Sequence, residues 1–275
     1  VTMKEENIEG EKVITVENRY LKAEFTTSGG RIKSLINKKL DKNLIFWSPG
    51  EGGGLDDRGT RTMAKCDFHL IKKTDEEVSF KFTYKDEAGI FWEKVITIQD
   101  AISFIKVNYT LTNQSDKKIT YEHMVRNFVI PGGNGLDKND FILYHNSLGI
   151  QKIRWIDIWL VKKSSGLYIN DVVGKWQAIF DEENKIGLIA IFSDIGKLYY
   201  WAKLGNWGTM EWVYPIKTIE KGDICVENIH AVYEKTGSSI RKSLAGKGER
   251  TLILNDEAHH IMNSQEVVGA TEKTG

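Results

Sequence analysis

Proline is nearly absent from this sequence: three residues in 275, at positions 49, 131 and 215. A central β-strand cannot spare the amide donor that proline lacks, so the scarcity leaves room for many strands. Cysteine is scarcer still. Cys66 and Cys225 exclude a disulfide framework and leave either two buried thiols or one bridge. An excess of one charge is also missing, with Lys+Arg 38 and Asp+Glu 38. No global field gathers nucleic acid or an anionic membrane, so neither is expected as a partner, and specificity must come from a local site. Long apolar runs are absent. Stretches such as Ile186 to Phe192 are far too short to span a bilayer. Val1 to Gly10 is polar and charged, so no signal peptide is expected there, and the location of the protein stays open.

Several chemistries lack their motifs. There is no Gly-x-Ser-x-Gly elbow and no recognisable Cys-His pair. Gly52-Gly53-Gly54 opens no helix and is not followed by Lys-Ser/Thr, so it is not a phosphate loop. His69, His123, His145, His230, His259 and His260 show no zinc spacing with a third ligand nearby, so neither metal nor cofactor is expected. Acid–base chemistry by carboxylate and imidazole remains available.

What is present is mostly strand. Val78, Phe80, Phe82 and Tyr84 alternate with polar residues, as do Ile105, Val107, Tyr109 and Leu111. A period of two puts each set on one face of a half-buried strand. Lys12 to Glu17, Leu21 to Thr26, Phe91 to Gln99, Ile119 to Phe128, Trp176 to Phe180, Ile186 to Phe192 and Cys225 to Tyr233 read the same way. Turn signals such as Asp86-Glu-Ala-Gly and Glu220-Lys-Gly-Asp separate them. Ile150 to Val161 reads as a helical turn or an irregular strand, and Ser238 to Ala245 as a short helix. The chain is expected to be all-β, with antiparallel sheets packed on sheets, as a single domain over 1–275 whose ends, 1–11 and 265–275, are frayed.

Three stretches read as glycine-rich loops: Ser48 to Met63, Ile130 to Asp140 and Gly205 to Pro215. Loops on a rigid scaffold are where binding residues concentrate. Eight tryptophans are present. The apolar face of a sugar ring packs on such rings. Trp92, Trp176 and Trp201 sit on apparent strands and read as core. Trp47, Trp207 and Trp212 sit beside the loops and read as ligand contacts as readily as core.

Taken in order, these features resemble the galactose mutarotase-like superfamily. Val16-Glu-Asn-Arg-Tyr-Leu-Lys-Ala-Glu-Phe, then Gly29-Gly30-Arg31-Ile32-Lys33-Ser34-Leu35, is similar to the family's opening hairpin. Val107 to Lys118, Ile119 to Pro131, Trp176 to Asp181 and Gly208-Thr-Met-Glu-Trp-Val-Tyr-Pro resemble later segments in the right order. The resemblance covers roughly residues 12 to 235. It implies a large β-supersandwich and, as partner, a mono- or oligosaccharide. It implies aldose mutarotase or epimerase-like chemistry at the anomeric centre, with Glu211 as base and His123 or His145 as acid. Arg58 would clamp hydroxyls, Asp57 beside it would add a polar contact, and Trp47, Trp207 or Trp212 would stack. The family's histidine position falls on Val125, two residues past His123 on the same strand face. A non-catalytic carbohydrate-binding or accessory domain therefore stands as the alternative, ahead of a structural domain without a sugar site. Hydrolysis by Asp56 or Asp57 paired with Glu211 is a further option. Arg58, Arg61 and Arg126 are the candidates for a phosphate-bearing sugar.

Overall fold

A computed structural model describes residues 1–48, 50–57, 63–162, 166–203, 205–228 and 251–254. The expected alternation is visible in the strand interiors. In β9 (Ile90–Gln99), Ile90, Trp92, Lys94, Ile96 and Ile98 are buried while the residues between them are less so. β10 (Phe104–Asn113) buries Ile105, Val107, Tyr109 and Leu111 in the same way.

The strands assemble into two facing layers. One contains a five-stranded sheet in chain order: β1 (Thr2–Ile8), β2 (Glu11–Glu17), β3 (Leu21–Thr26), β4 (Ile32–Asn37) and β5 (Lys42–Asn43). Beside it lies a second five-stranded sheet. Its order is β15 (Gly166–Ile169), β18 (Lys197–Lys203), β19 (Trp207–Val213), β12 (Met124–Val129) and β6 (Asp56–Asp57). A bridge joins the two. Ile32 N–H donates to Gly54 at 2.8 Å, and Gly54 N–H donates back at 2.9 Å.

The facing layer is a ten-stranded sheet. Its path runs β14 (Gly149–Arg154), β13 (Asp140–Asn146), β16 (Trp176–Asp181), β17 (Ile186–Ile191), β22 (Thr251–Leu254), β10, β9, β8 (Glu77–Lys85) and β7 (Asp67–Lys73), with β21 (Ile224–Asn228) also on β10. A small ribbon pairs β11 (Ile119–Tyr121) with β20 (Lys217–Ile219). Among the described residues one helix, α1 (Trp155–Lys162), follows β14. Pairing is antiparallel, except that β22 runs parallel to both β10 and β17. The core lies between the layers, with Phe25 edge-on to Phe80 at 5.1 Å and Trp212 against Phe192 at 4.9 Å. Among the described residues, no helix is long and apolar enough to cross a membrane.

Some expectations need correction. Thr2 to Ile8 is not frayed, because every residue of β1 pairs with β2. Gly205 to Pro215 is not a loop, because Trp207 to Val213 forms a central strand buried throughout. Ile119 to Phe128 splits into β11 and β12, which join different sheets. Ile150 to Val161 divides between β14 and α1. The expected helix at 238–245 and the tail at 265–275 lie outside the described residues.

The interior is tight where α1 meets the second sheet. A Cβ added to Gly208 would lie 2.4 Å from the buried ring of Trp155 and 2.8 Å from Leu136. Gly208→Ala is therefore expected to destabilise by about 1–3 kcal/mol in chemical denaturation. Gly50→Ala, with nothing within 4 Å of the new methyl, is expected to stay within about 0.5 kcal/mol.

Candidate functional site

The sheet β6-β12-β19-β18-β15 has two faces, and successive residues alternate between them. Asp56 lies opposite Arg126, Arg126 opposite Glu211, Glu211 opposite Tyr199, and Tyr199 opposite Tyr168. These five form one row on the outward face. The next row along holds Phe128, Thr209 and Trp201. One residue out of step, Asp57, Val125, Trp212, Leu198 and Ile169 form the matching row on the inward face.

The outward face carries charge and aromatic rings together. Arg126 donates from Nε and Nη2 to Oδ2 of Asp56, at 3.0 and 2.7 Å. Its guanidinium also lies 4.6 Å from the centre of the Phe128 ring. The side chain of Arg126 is 22% exposed, whereas Asp56 is fully buried. Asp56 thus fixes the direction of a cation that still reaches solvent. Glu211 is 2% exposed, between Arg126 and the half-buried Tyr199. Gln177, from the other layer, donates to the Glu211 backbone carbonyl at 3.2 Å.

Trp207 packs on Phe46 at 5.6 Å, Phe128 at 4.7 Å and Trp201 at 4.9 Å, and is itself buried. Trp201 and Phe46 are only half-buried, so they present the accessible rings of that cluster. Trp47 is half-buried too, with the guanidinium of Arg31 4.6 Å and the ammonium of Lys33 5.2 Å from its ring. Burial lowers the pKa of Arg31, and the nearby Asp56 opposes that shift.

The inward side holds a different network. Lys94 sits in an otherwise apolar register of β9 and reaches across to Asp57 at 2.6 Å. It also donates to the carbonyls of Leu55 at 2.7 Å, Gly30 at 3.2 Å and Gly29 at 3.3 Å. His123 donates from Nε2 to Asp57 at 3.0 Å. Its ring stacks on Tyr214 and meets Trp92 and Tyr109 edge-on, and it is fully buried. Burial alone would raise the Asp57 carboxyl, but Lys94 and His123 together hold it down to about 2. A cavity of about 20 Å³ beside Lys94, Asp57, Cys66 and Trp92 has room for about one water, not for a sugar. Cys66 is a free buried thiol.

The residues singled out from sequence therefore separate. Glu211 and Trp207 share the outward face, with Trp47 near its edge. His123, Asp57 and Trp212 point into the core. The expectation that His123 and Glu211 face one pocket is corrected: an odd number of steps separates His123 from Arg126, the residue opposite Glu211, so the two side chains leave opposite faces. His145 is on β13, one step out of phase with Tyr144, which lies opposite Gln177. Its side chain thus leaves the face of the ten-stranded sheet opposite to the one that reaches Glu211. Arg58 lies outside the described residues. Sequence reasoning passed over Lys94, Tyr199 and Tyr168, and read Trp201 as core, whereas it is half-buried. Lys94 was visible as the one charged residue in the buried phase of its strand. Among the described residues, no group of three or more His, Cys, Asp or Glu is placed to hold a metal ion.

No protein-family profile matches the sequence, and no curated protein is similar to it at a significant level. Solved structures do match. A proposed aldose 1-epimerase from Klebsiella pneumoniae superposes with a TM-score of 0.66 at 11% identity, over 93% of this chain and 91% of that one. A galactose mutarotase-like protein from Lactobacillus casei gives 0.59 at 13% identity, over 78% and 97%. A TPR-domain-containing protein from Parabacteroides distasonis gives 0.62 at 11% identity, over 81% of this chain but only 48% of that longer one. The chain has the galactose mutarotase-like fold.

The buried network can be tested apart from any ligand. Lys94→Met strands a carboxylate in the core and is expected to cost about 3–5 kcal/mol of stability. The Asp57 carboxyl lies at about 2, below its ordinary 3.8. Its contribution, roughly 2 kcal/mol, is present above about pH 4 and is lost as pH falls toward 2. Urea denaturation of Asp57→Asn from pH 6 to 2 is expected to show a flatter fall in stability with acid than the parent.

Proposed function

We propose that the protein binds a carbohydrate on the outward face of the β6-β12-β19-β18-β15 sheet. One observation carries this reading. A cation aimed by a buried carboxylate, a second carboxylate and a half-buried indole rise from the same face, on adjacent strands. Hydroxyls of a sugar need donors and acceptors held at fixed angles, and its C–H face needs a ring. Arg126 supplies N–H donors, Glu211 an acceptor, and Trp201 the ring. Solved proteins of the same fold are described as mutarotase-like or as an aldose epimerase, which supports a sugar as the ligand class.

Turnover is a separate matter. Mutarotation needs an acid and a base at one anomeric centre. The two imidazoles that could serve leave other faces of the structure, so binding without turnover is the reading we favour. The TPR-containing neighbour, twice the length of this fold, supports an accessory role within a larger protein. A second reading keeps one observation in its favour. Glu211 is a buried carboxylate on the floor of the site beside a cation, a suitable position for a base in aldose 1-epimerase-like isomerisation, with an acid other than His123 or His145.

A thermal-shift screen against free aldoses, sugar phosphates and short oligosaccharides tests the binding. A ligand at 100 times its Kd is expected to stabilise by about 2.7 kcal/mol. Trp201→Ala is expected to weaken that ligand about tenfold, while His145→Ala leaves it unchanged. An equal Kd for Trp201→Ala and the parent would remove the site. Polarimetry on each aldose that binds separates the two readings. Acceleration abolished by Glu211→Gln would establish the second reading and overturn the first.

A further inference from the structure

The outward row does not end at Glu211. Tyr199 lies opposite Glu211 on the next strand, and Tyr168 lies beyond it at the sheet edge, with ring centres 4.3 Å apart and planes tilted by 39°. Tyr168 is 55% exposed, unusual for a large ring on a strand, and Lys197 Nζ lies 6.0 Å from its ring centre. Gly166 keeps this pair in place. A Cβ there would lie 2.2 Å from the Tyr199 hydroxyl oxygen and 2.8 Å from the ring carbon that bears it, so the Tyr199 ring leans over β15 only because residue 166 has no side chain. The ring therefore turns away from Glu211 and joins Tyr168 in a continuous aromatic step.

The strand spacing sets the scale. Two intervals from β19 to β15 amount to about 10 Å, more than one pyranose ring covers. A sugar seated on Arg126, Glu211 and Trp201 would leave Tyr168, on β15, untouched. The next ring of a chain running across the strands would meet Tyr168 and the part of Tyr199 that leans over β15, with Lys197, paired to Glu122 at 3.0 Å, at the rim.

We infer that Tyr168 and Tyr199 form a second sugar-ring subsite and that the ligand is an oligosaccharide rather than a free monosaccharide. This rests on the carbohydrate-binding reading above and adds the length of the ligand. A cross-strand tyrosine pair also steadies a sheet edge, so the test must read chain length and not stability alone.

Tryptophan-fluorescence titrations with glucose, galactose, mannose and xylose, and with the β-1,4-linked di- and trisaccharide of each, provide that readout. In at least one series, affinity is expected to rise about tenfold or more from the monosaccharide to the longer members. Tyr168→Ala is expected to abolish the increment while leaving monosaccharide affinity within twofold. Tyr168→Phe, which keeps the ring, is expected to retain it. Binding that is independent of chain length, or an increment that survives Tyr168→Ala, overturns the subsite and leaves the first site standing. Failure of every sugar to bind the parent overturns both. Tyr168 is exposed on an edge strand, so loss of folding is not expected to confuse the result.

Discussion

The ammonium of Lys94 ties the two layers together. It leaves β9 in the ten-stranded sheet, crosses the core, and ends on Asp57 and three backbone carbonyls of the opposite layer. A charge in that position tolerates only a fully paired setting, so the surrounding backbone must present its oxygens to it. Gly29 and Gly30 do so by adopting positive φ, 72° and 57°. Gly30 also has no room for a side chain, since a Cβ would lie 2.9 Å from the Phe82 ring. The glycine pair of the opening hairpin is thus explained by one lysine and one phenylalanine from the facing sheet.

This arrangement divides labour between two faces of a single sheet. The inward row supplies burial and a sealed ionic network. The outward row contributes little to that core and is free to be charged and aromatic. Arg126 and Asp56 form an ion pair at the surface boundary, where one partner still reaches water. Lys94 and Asp57 form theirs where neither does. The first pair suits recognition of something that arrives from solvent. The second suits a fold that must not change when it does.

Much of the fold was legible from periodicity. β8, β9 and β10 alternate apolar and polar residues, and that alternation marks them within a residue or two. β19 reads as a loop because Gly205, Gly208 and Pro215 bracket a short run, although Thr209 and Glu211 alternate with Met210 and Trp212. β18 was marked only by Trp201, because the consecutive apolar residues Leu198 to Ala202 mask its alternation. The site was half legible. The resemblance to mutarotase-like proteins singled out Glu211 as a candidate, and composition pointed to tryptophan. The pairing that puts Arg126 opposite Glu211 joins residues 85 positions apart (211 − 126), and no local pattern encodes it. Without that pairing, the phase of His123 relative to Glu211 could not be read, and the acid was sought on the wrong face.

Asp56 and Asp57 share one peptide unit, yet one belongs to the outside of the sheet and the other to the inside. Their two-residue strand is held to β12 by the pairings of Asp56 with Arg126 and Asp57 with Val125. A slip of one residue would turn Asp57 outward and drive a different side chain toward Lys94, while leaving Arg126 facing a residue of the wrong phase. Both ion pairs would fail in the same event. Assembly of this edge is therefore proofread twice, once from each side, so a protein with an intact core also carries a correctly set outer face.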